Sequence, residues 1–156
     1  MSEEFNPVPH LRDLAIAYAL SLPIAWNRER EERSAGLRTF PLVAIASCGF
    51  IQAGENHGER LLAGVAQGLI AGMGFIGGGT ILREGLGVRG TATAASLWAT
   101  AAVGLAAGLR DYDVAIVIAL ATFLTLRLPK PKPAEIASAA SLIPSFLYNH
   151  FRALCL

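Results

Sequence analysis

Five apolar segments alternate with short polar segments along the chain. They run from Leu14 to Trp26, Leu42 to Ala53, Leu61 to Leu82, Thr91 to Leu109 and Val114 to Leu128. The third and fourth have the length of about 20 residues that crosses the hydrocarbon core of a bilayer as a helix. The first two are shorter, and the first contains Pro23, which a membrane helix tolerates. The pattern predicts an all-α integral membrane protein of about five transmembrane helices.

Small residues recur at four-residue spacing in the third and fourth segments. The third contains Gly64, Gly68 and Gly72, with Gly74 and Gly78 on a neighbouring face; the fourth contains Ala92, Ser96, Thr100, Gly104 and Gly108. Such stripes let membrane helices approach closely, so we expect the two stripes to face each other. Thr93, Ser96, Trp98 and Gly104 belong to the same predicted packing motif. A permeation path lined by the glycines is the functional alternative.

Lysine and arginine are distributed unequally between the two sets of loops that five spans create. One set carries Arg28, Arg30, Arg33, Arg38, Arg83, Arg89, Arg127, Lys130, Lys132 and Arg152; the other carries Arg12, Arg60 and Arg110. The positive-inside rule places the first set in the cytoplasm. We therefore expect a periplasmic amino-terminal segment, residues 1–10, and a cytoplasmic carboxyl terminus.

The composition agrees with one membrane domain and does not indicate catalysis. Hydrophobic residues make up 53% of the chain and charged residues 16%. No nucleophile–base pair, carboxylate dyad or metal-ligand spacing is visible, so we expect no enzyme activity, cofactor or metal site, and nothing indicates nucleic-acid binding. Cys48 and Cys155 form neither a disulfide framework nor a metal motif. Gly72 to Gly77 reads G-x-G-x-x-G, but no strand precedes it, which argues against a dinucleotide site.

The last segment, residues 129–156, differs from the rest of the chain. Alternating prolines and lysines from Pro129 to Pro133 predict an extended linker. Beyond it, apolar residues at helical spacing predict a short amphipathic helix lying on the cytoplasmic membrane surface, although Pro144 bends or restarts it.

A series of motifs spans the third and fourth segments. It comprises Gly72 to Ile81, Arg83-Glu84-Gly85, Val88-Arg89-Gly90, Thr93 to Trp98 and Ala101 to Gly104, with Ala35 to Thr39 upstream. These residues resemble the MgtC/SapB family of bacterial inner-membrane proteins over roughly residues 11–128. Two positions depart from the family pattern, which usually has Glu in place of Asn27 and Asn or Thr in place of Ala92. Many members also have a soluble cytoplasmic domain after the fifth span, and the segment after residue 128 is too short to form one.

The densest charge and the most family-like residues fall in the same two loops. We therefore expect a functional rim on the cytoplasmic side, formed by Arg28, Arg38, Thr39, Arg83, Glu84 and Arg89. Arg38 and Glu84 are the expected contact pair, because a guanidinium can donate two hydrogen bonds to one carboxylate. The alternative is that these charges only hold the loops at the lipid headgroups.

The resemblance also implies a role. It implies an inner-membrane regulatory protein for adaptation to low magnesium and to virulence-type stress, acting in the lipid bilayer through a membrane partner such as the ATP synthase. A homo-oligomer is also compatible with the small-residue stripes. The alternative function is a small transporter or channel. Against it, the apolar segments contain no Asp or Glu, although transporters usually place ionisable groups at such depth.

Overall fold

The computed structural model describes residues 7–31, 35–55, 57–84 and 87–128. The described chain forms α1 (Pro7–Arg30), α2 (Thr39–Glu55), α3 (Glu59–Gly79), β1 (Leu82–Glu84), β2 (Gly87–Arg89), α4 (Thr91–Gly108) and α5 (Tyr112–Arg127). The five apolar segments are thus confirmed as helices, although α1 begins well before Leu14. The predicted linker and tail, residues 129–156, lie outside the described residues.

Backbone geometry explains where the helices begin. Gly58 and Gly90 precede α3 and α4 with φ values of 94° and 91°, which favour glycine. A side chain at Gly90 would collide with the carbonyl group of Thr80, the residue that follows α3. Arg110 links α4 to α5 in the left-handed region, with φ 66°. In α2, Pro41 lies in the first turn, where no helical hydrogen bond is lost.

A short antiparallel hairpin replaces the predicted charged turn between α3 and α4. Its register pairs Leu82 with Arg89, Arg83 with Val88 and Glu84 with Gly87. The backbone of this loop is therefore held by strand hydrogen bonds, and the ends of α3 and α4 are brought side by side.

Helix α4 is the centre of the bundle and packs against α1, α2, α3 and α5. Near the hairpin, a cluster of buried residues joins Ile24, Phe40, Met73 and Leu97, one from each of α1 to α4. Two further clusters follow along the bundle, one between α1, α2 and α4 and one between α4 and α5. Alanine dominates these two clusters, so helix backbones lie close together.

Gly104 and Gly108, from the small-residue stripe of α4, pack against α2, and the prediction that this stripe faces the stripe of α3 is wrong for them. A side chain at Gly104 would collide with the carbonyl oxygen of Ala44, and one at Gly108 would lie 2.9 Å from that of Cys48. The hydroxyl of Ser96 donates to the Thr93 carbonyl and that of Thr100 to the Ser96 carbonyl, at 3.0 and 2.8 Å. Both hydroxyls are therefore satisfied within α4.

Helix α3 lies at the periphery of the bundle. Among its residues only Met73 and Gly77 are buried, and Gly77 contacts Ala94 of α4. A side chain at any of five other glycines would meet no described atom within 4 Å: Gly64, Gly68, Gly72, Gly74 and Gly78. The expectation that these five pack inside the chain is therefore corrected. Trp98, expected at a helix contact, is half exposed.

Among the described residues, two helices are long and apolar enough to cross a membrane. These are α3, with 21 residues, and α4, with 18, which correspond to about 32 and 27 Å of helix. They differ in burial, since 61% of the most apolar window of α4 is buried in the bundle and only 11% of that of α3. The apolar surface that α3 leaves exposed indicates contact with lipid or with another protein.

Candidate functional site

Most residues of the predicted rim gather at one end of the bundle, which we call the hairpin end. Arg28 lies in the last turn of α1, Arg38 and Thr39 lie where α2 begins, and the hairpin carries Arg83, Glu84 and Arg89. The Leu37 amide donates to the Glu29 carboxylate at 3.0 Å, which ties the loop before α2 to α1. The side chains of Arg83 and Glu84 lie outside the described part, so the contact between Arg38 and Glu84 stays a prediction.

Arg28 is buried, although the sequence suggested an exposed rim residue. Only 2% of its surface is exposed. Its Nη2 donates to Asn27 Oδ1 at 2.8 Å and forms an ion pair with Glu31 at 3.0 Å. Among the described residues, its buried Nε has no hydrogen-bond partner. A buried guanidinium group with an unused donor is costly, so this group favours an additional anionic or polar partner.

A cavity of about 520 Å³ lies beside Arg28 at the hairpin end. It is lined by Asn27, Arg28, Glu31, Ala92, Thr125, Leu126, Arg127 and Leu128. The lining includes both positions that depart from the family pattern, Asn27 and Ala92. Both departures therefore line the same cavity, although they lie far apart in the sequence.

The opposite end of the bundle carries a polar network that sequence reasoning missed. Its centre is Asp13 of α1, which is fully buried. The Tyr112 hydroxyl donates to it at 2.6 Å, Arg12 Nε at 3.1 Å and Gln52 Nε2 at 3.4 Å. Arg110 lies 3.7 Å from the same carboxylate. Three helices and the turn between α4 and α5 are thus joined through one side chain.

The network affects both the charge state of Asp13 and the backbone at Arg110. Burial alone would raise the pKa of the Asp13 carboxyl, but the hydrogen bond from Tyr112 and the interactions with Arg12 outweigh burial and lower it. Asp13 precedes the apolar part of α1 and is ionised at neutral pH. Arg110 also pairs with Glu55 at 3.3 Å, and these contacts help to hold its left-handed backbone, which costs about 1 to 2 kcal/mol.

A signal for Asp13 was present in the sequence. Asp13, Ala17, Ser21, Ile24 and Arg28 are all buried in α1 and follow helical spacing. One face of α1 therefore carries a charged residue at each end, and both are drawn into the bundle. In the sequence, Asp13 stands next to Arg12 and reads as an ordinary solvated pair before an apolar segment.

Neither end shows the arrangement of a metal centre. Within residues 7–31, 35–55, 57–84 and 87–128, no group of three or more His, Cys, Asp or Glu side chains is placed to hold a metal ion. Asp13 is surrounded by arginine, tyrosine and amide donors, which suit a structural carboxylate. The hairpin end instead offers guanidinium donors beside a cavity, which suits an anion.

Comparison with known proteins identifies the family. The MgtC family model matches residues 14–132. The chain is 35% identical to Protein MgtC of Salmonella typhimurium over 130 residues, covering 81% of this chain and 56% of the relative. It is 39% identical to Protein MgtC of Brucella abortus over 128 residues, covering 79% and 54%. It is 40% identical to an uncharacterized Synechocystis protein over 106 residues, covering 67% and 45%.

The chain spans about half the length of these curated relatives. No solved structure gives a significant match. The matched region contains the hairpin, the cavity beside Arg28 and nearly all of the described helices. The chain therefore belongs to the MgtC family.

Proposed function

We propose that this protein is a multi-pass inner-membrane protein with an MgtC-like regulatory role, exerted by contact with a membrane-protein partner. The membrane location is supported by family membership and by the two apolar helices α3 and α4. The proposed orientation, with the hairpin end in the cytoplasm, is supported by the unequal distribution of arginine and lysine between the two sets of loops. The finer role implied by the family resemblance is adaptation to low magnesium through a partner such as the ATP synthase.

The observation that carries this proposal is the outward face of α3. Gly64, Gln67, Ala71, Gly74 and Gly78 are all exposed and follow helical spacing, on the side opposite Met73. Small residues at this spacing let a second membrane helix approach closely, and a polar residue such as Gln67 can bond across the contact. Facing lipid alone, the Gln67 amide would stay unpaired in hydrocarbon, which costs free energy. A partner helix satisfies both features.

The packing between α2 and α4 favours partner binding over transport. Gly104 and Gly108 bring the two backbones into direct contact, and the hydroxyls of Ser96 and Thr100 bond within α4. A magnesium path requires several oxygen ligands in near-octahedral array, usually including carboxylates. The centre of the bundle instead presents alanine and glycine surfaces in contact with each other. We accordingly propose neither transport nor enzyme activity for this chain.

Site-specific photocrosslinking tests the proposal. A photoreactive residue at Gln67 or Ala71 should capture one defined membrane protein in living cells, because both positions lie on the outward face of α3. Val117 provides the control: it is an exposed apolar residue on α5, outside the proposed face. Capture of lipid alone from Gln67 and Ala71, or the same protein captured equally from Val117, would remove the support for a partner on α3.

A transport assay tests the alternative directly. Purified protein in sealed liposomes should show no Mg²⁺ flux above empty liposomes across a gradient. Thr93 is buried in α4, and Thr93→Ala is the variant chosen for comparison with the wild type. A saturable flux that is lost in Thr93→Ala would establish transport and contradict the regulatory proposal.

A further inference from the structure

The cavity beside Arg28 continues into a groove between α4 and α5. We call the first the arginine cavity and the second the α4–α5 groove. The groove has a volume of about 300 Å³ and is lined by Ala92, Ala95, Ser96, Ala99, Ala121, Thr122, Thr125 and Leu126. Ala92, Thr125 and Leu126 line both spaces. The two spaces therefore form one continuous depression on the side of the bundle, starting at the hairpin end.

The arginine cavity has the charge of an anion site. Its lining contains two guanidinium groups, Arg28 and Arg127, and one carboxylate, Glu31. Arg28 is the buried member, and its Nη2 already engages Asn27 and Glu31, while its Nε has no partner among the described residues. The guanidinium of Arg127 lies over the Phe123 ring at 4.7 Å, which orients it. Guanidinium groups match phosphate oxygens well in geometry.

The α4–α5 groove has the opposite character. The side chains of Ala92, Ala95 and Ala99 leave a furrow along about two turns of α4, roughly 10 Å long. Two of the three hydroxyls in the lining are satisfied within their own helices, because Ser96 donates to the Thr93 carbonyl and Thr125 to the Ala121 carbonyl. Apart from these groups and Thr122, the furrow presents hydrocarbon, which suits an acyl chain.

We propose that this depression binds an anionic phospholipid, with the headgroup phosphate in the arginine cavity and one acyl chain in the α4–α5 groove. A charged space at the membrane surface that opens into an apolar furrow along the span matches the two parts of a phospholipid, and basic pockets between membrane helices on the cytoplasmic side bind such headgroups. This inference rests on the membrane location proposed above. It assigns Arg28, which reads as a loop residue in the sequence, to ligand binding.

Native mass spectrometry of the full chain in detergent tests the inference. Phosphatidylglycerol should be retained at one copy per chain and in preference to phosphatidylcholine with the same acyl chains. Arg127→Gln should weaken the binding about fivefold, since one arginine near an anionic lipid contributes roughly 1 kcal/mol. Asn27→Glu should weaken it similarly by adding a carboxylate to the cavity, and Ala121→Leu should weaken it by filling the groove without a change in charge.

Arg30→Gln provides the matched control. Arg30 is exposed at the same end, lies over the Trp26 ring and does not line the cavity, so its loss should leave retention unchanged. Arg127→Gln removes an exposed residue and is the variant least disturbing to folding, whereas Arg28 is buried. An equal loss in Arg30→Gln, or equal retention of the two lipids, would overturn the site.

Two further outcomes separate the occupant and the membrane location from the site itself. If millimolar inorganic phosphate displaces phosphatidylglycerol completely, the cavity takes a soluble anion and the lipid is the wrong occupant. A protein that remains in the membrane fraction after carbonate extraction but shows no lipid preference refutes this site alone, whereas release into the soluble fraction refutes the proposed membrane location.

Discussion

Replacing Gly104 with alanine tests the central contact of the bundle. A methyl group at this position would collide with the carbonyl oxygen of Ala44 and would lie 2.8 Å from Ser47 Cβ. Both contacts belong to α2, and a backbone carbonyl inside a helix cannot turn aside. The substitution therefore forces α2 and α4 apart along the face where they pack most closely.

The magnitude follows from two opposing effects. Overpacking of a well-packed interior costs about 1 to 3 kcal/mol, while alanine in place of glycine gains about 0.5 to 1 kcal/mol in helix propensity. For Gly104→Ala we expect a net loss of about 1 to 2 kcal/mol. At Gly68 a methyl group would meet no described atom within 4 Å, so only the gain applies. Gly68→Ala should be neutral or stabilising.

Thermal unfolding in one detergent, followed by circular dichroism, compares the two variants with the wild type. Both substitutions add one methyl group to a helical glycine, so Gly68→Ala is the matched control for Gly104→Ala. Size-exclusion profiles verify that each starting sample is folded and has the same oligomeric state. Equal stability of Gly104→Ala and wild type would refute the contact between α2 and α4. A loss in Gly68→Ala equal to that in Gly104→Ala would show that the glycine stripe of α3 is packed after all.

Four further predictions concern the two ends of the bundle and its orientation in the membrane. The pKa of Asp13 is lowered in the folded state, so its contribution to stability is present at neutral pH and is lost as pH falls through the folded pKa. In pH-dependent melts, the wild type should therefore lose stability below about pH 4, and Asp13→Asn should lose less there. Tyr112→Phe should cost roughly 1.5 to 3 kcal/mol of unfolding free energy at pH 7, as expected for a hydrogen bond to a charged group, and wild-type stability in that variant would argue against the network. A double-mutant cycle on Arg38→Ala and Glu84→Ala should show a coupling free energy of about 0.5 kcal/mol or more in thermal stability, whereas additive effects would show that the two residues do not interact. A reporter fused after Leu156 should be active only in the cytoplasm, and periplasmic activity would reverse the proposed orientation.

The presence of the helices and the family membership could be read from the sequence alone. Long apolar segments separated by charged loops predict helices because only a helix satisfies its own backbone in such a segment. The start of α4 at Thr91 agrees with the pattern to the residue, whereas α2 begins at Thr39, before the predicted segment starts at Leu42. The motifs around the hairpin are specific in composition and spacing, and the family comparison confirms them.

The partners of each helix could not be read from the sequence. Small residues recur in both α3 and α4, and spacing alone suggested that the two stripes meet. In the structure the Gly104 stripe lies against α2, and the stripe of Gly64 and Gly68 lies outside. The choice depends on how closely two particular backbones can approach, which is a property of surfaces in three dimensions.

The burial of single charged residues was also decided only by the tertiary structure. Arg28 and Asp13 stand beside exposed charged residues in the sequence, yet both are buried. Their surroundings come from distant positions: Tyr112, which bonds to Asp13, lies 99 residues from it, and Arg127 lines the cavity beside Arg28 from the end of α5. In helices that are apolar on most sides, periodicity does not separate a packed face from a lipid-facing one. Only the packing of all five helices brings these polar groups together, and with them the two candidate sites.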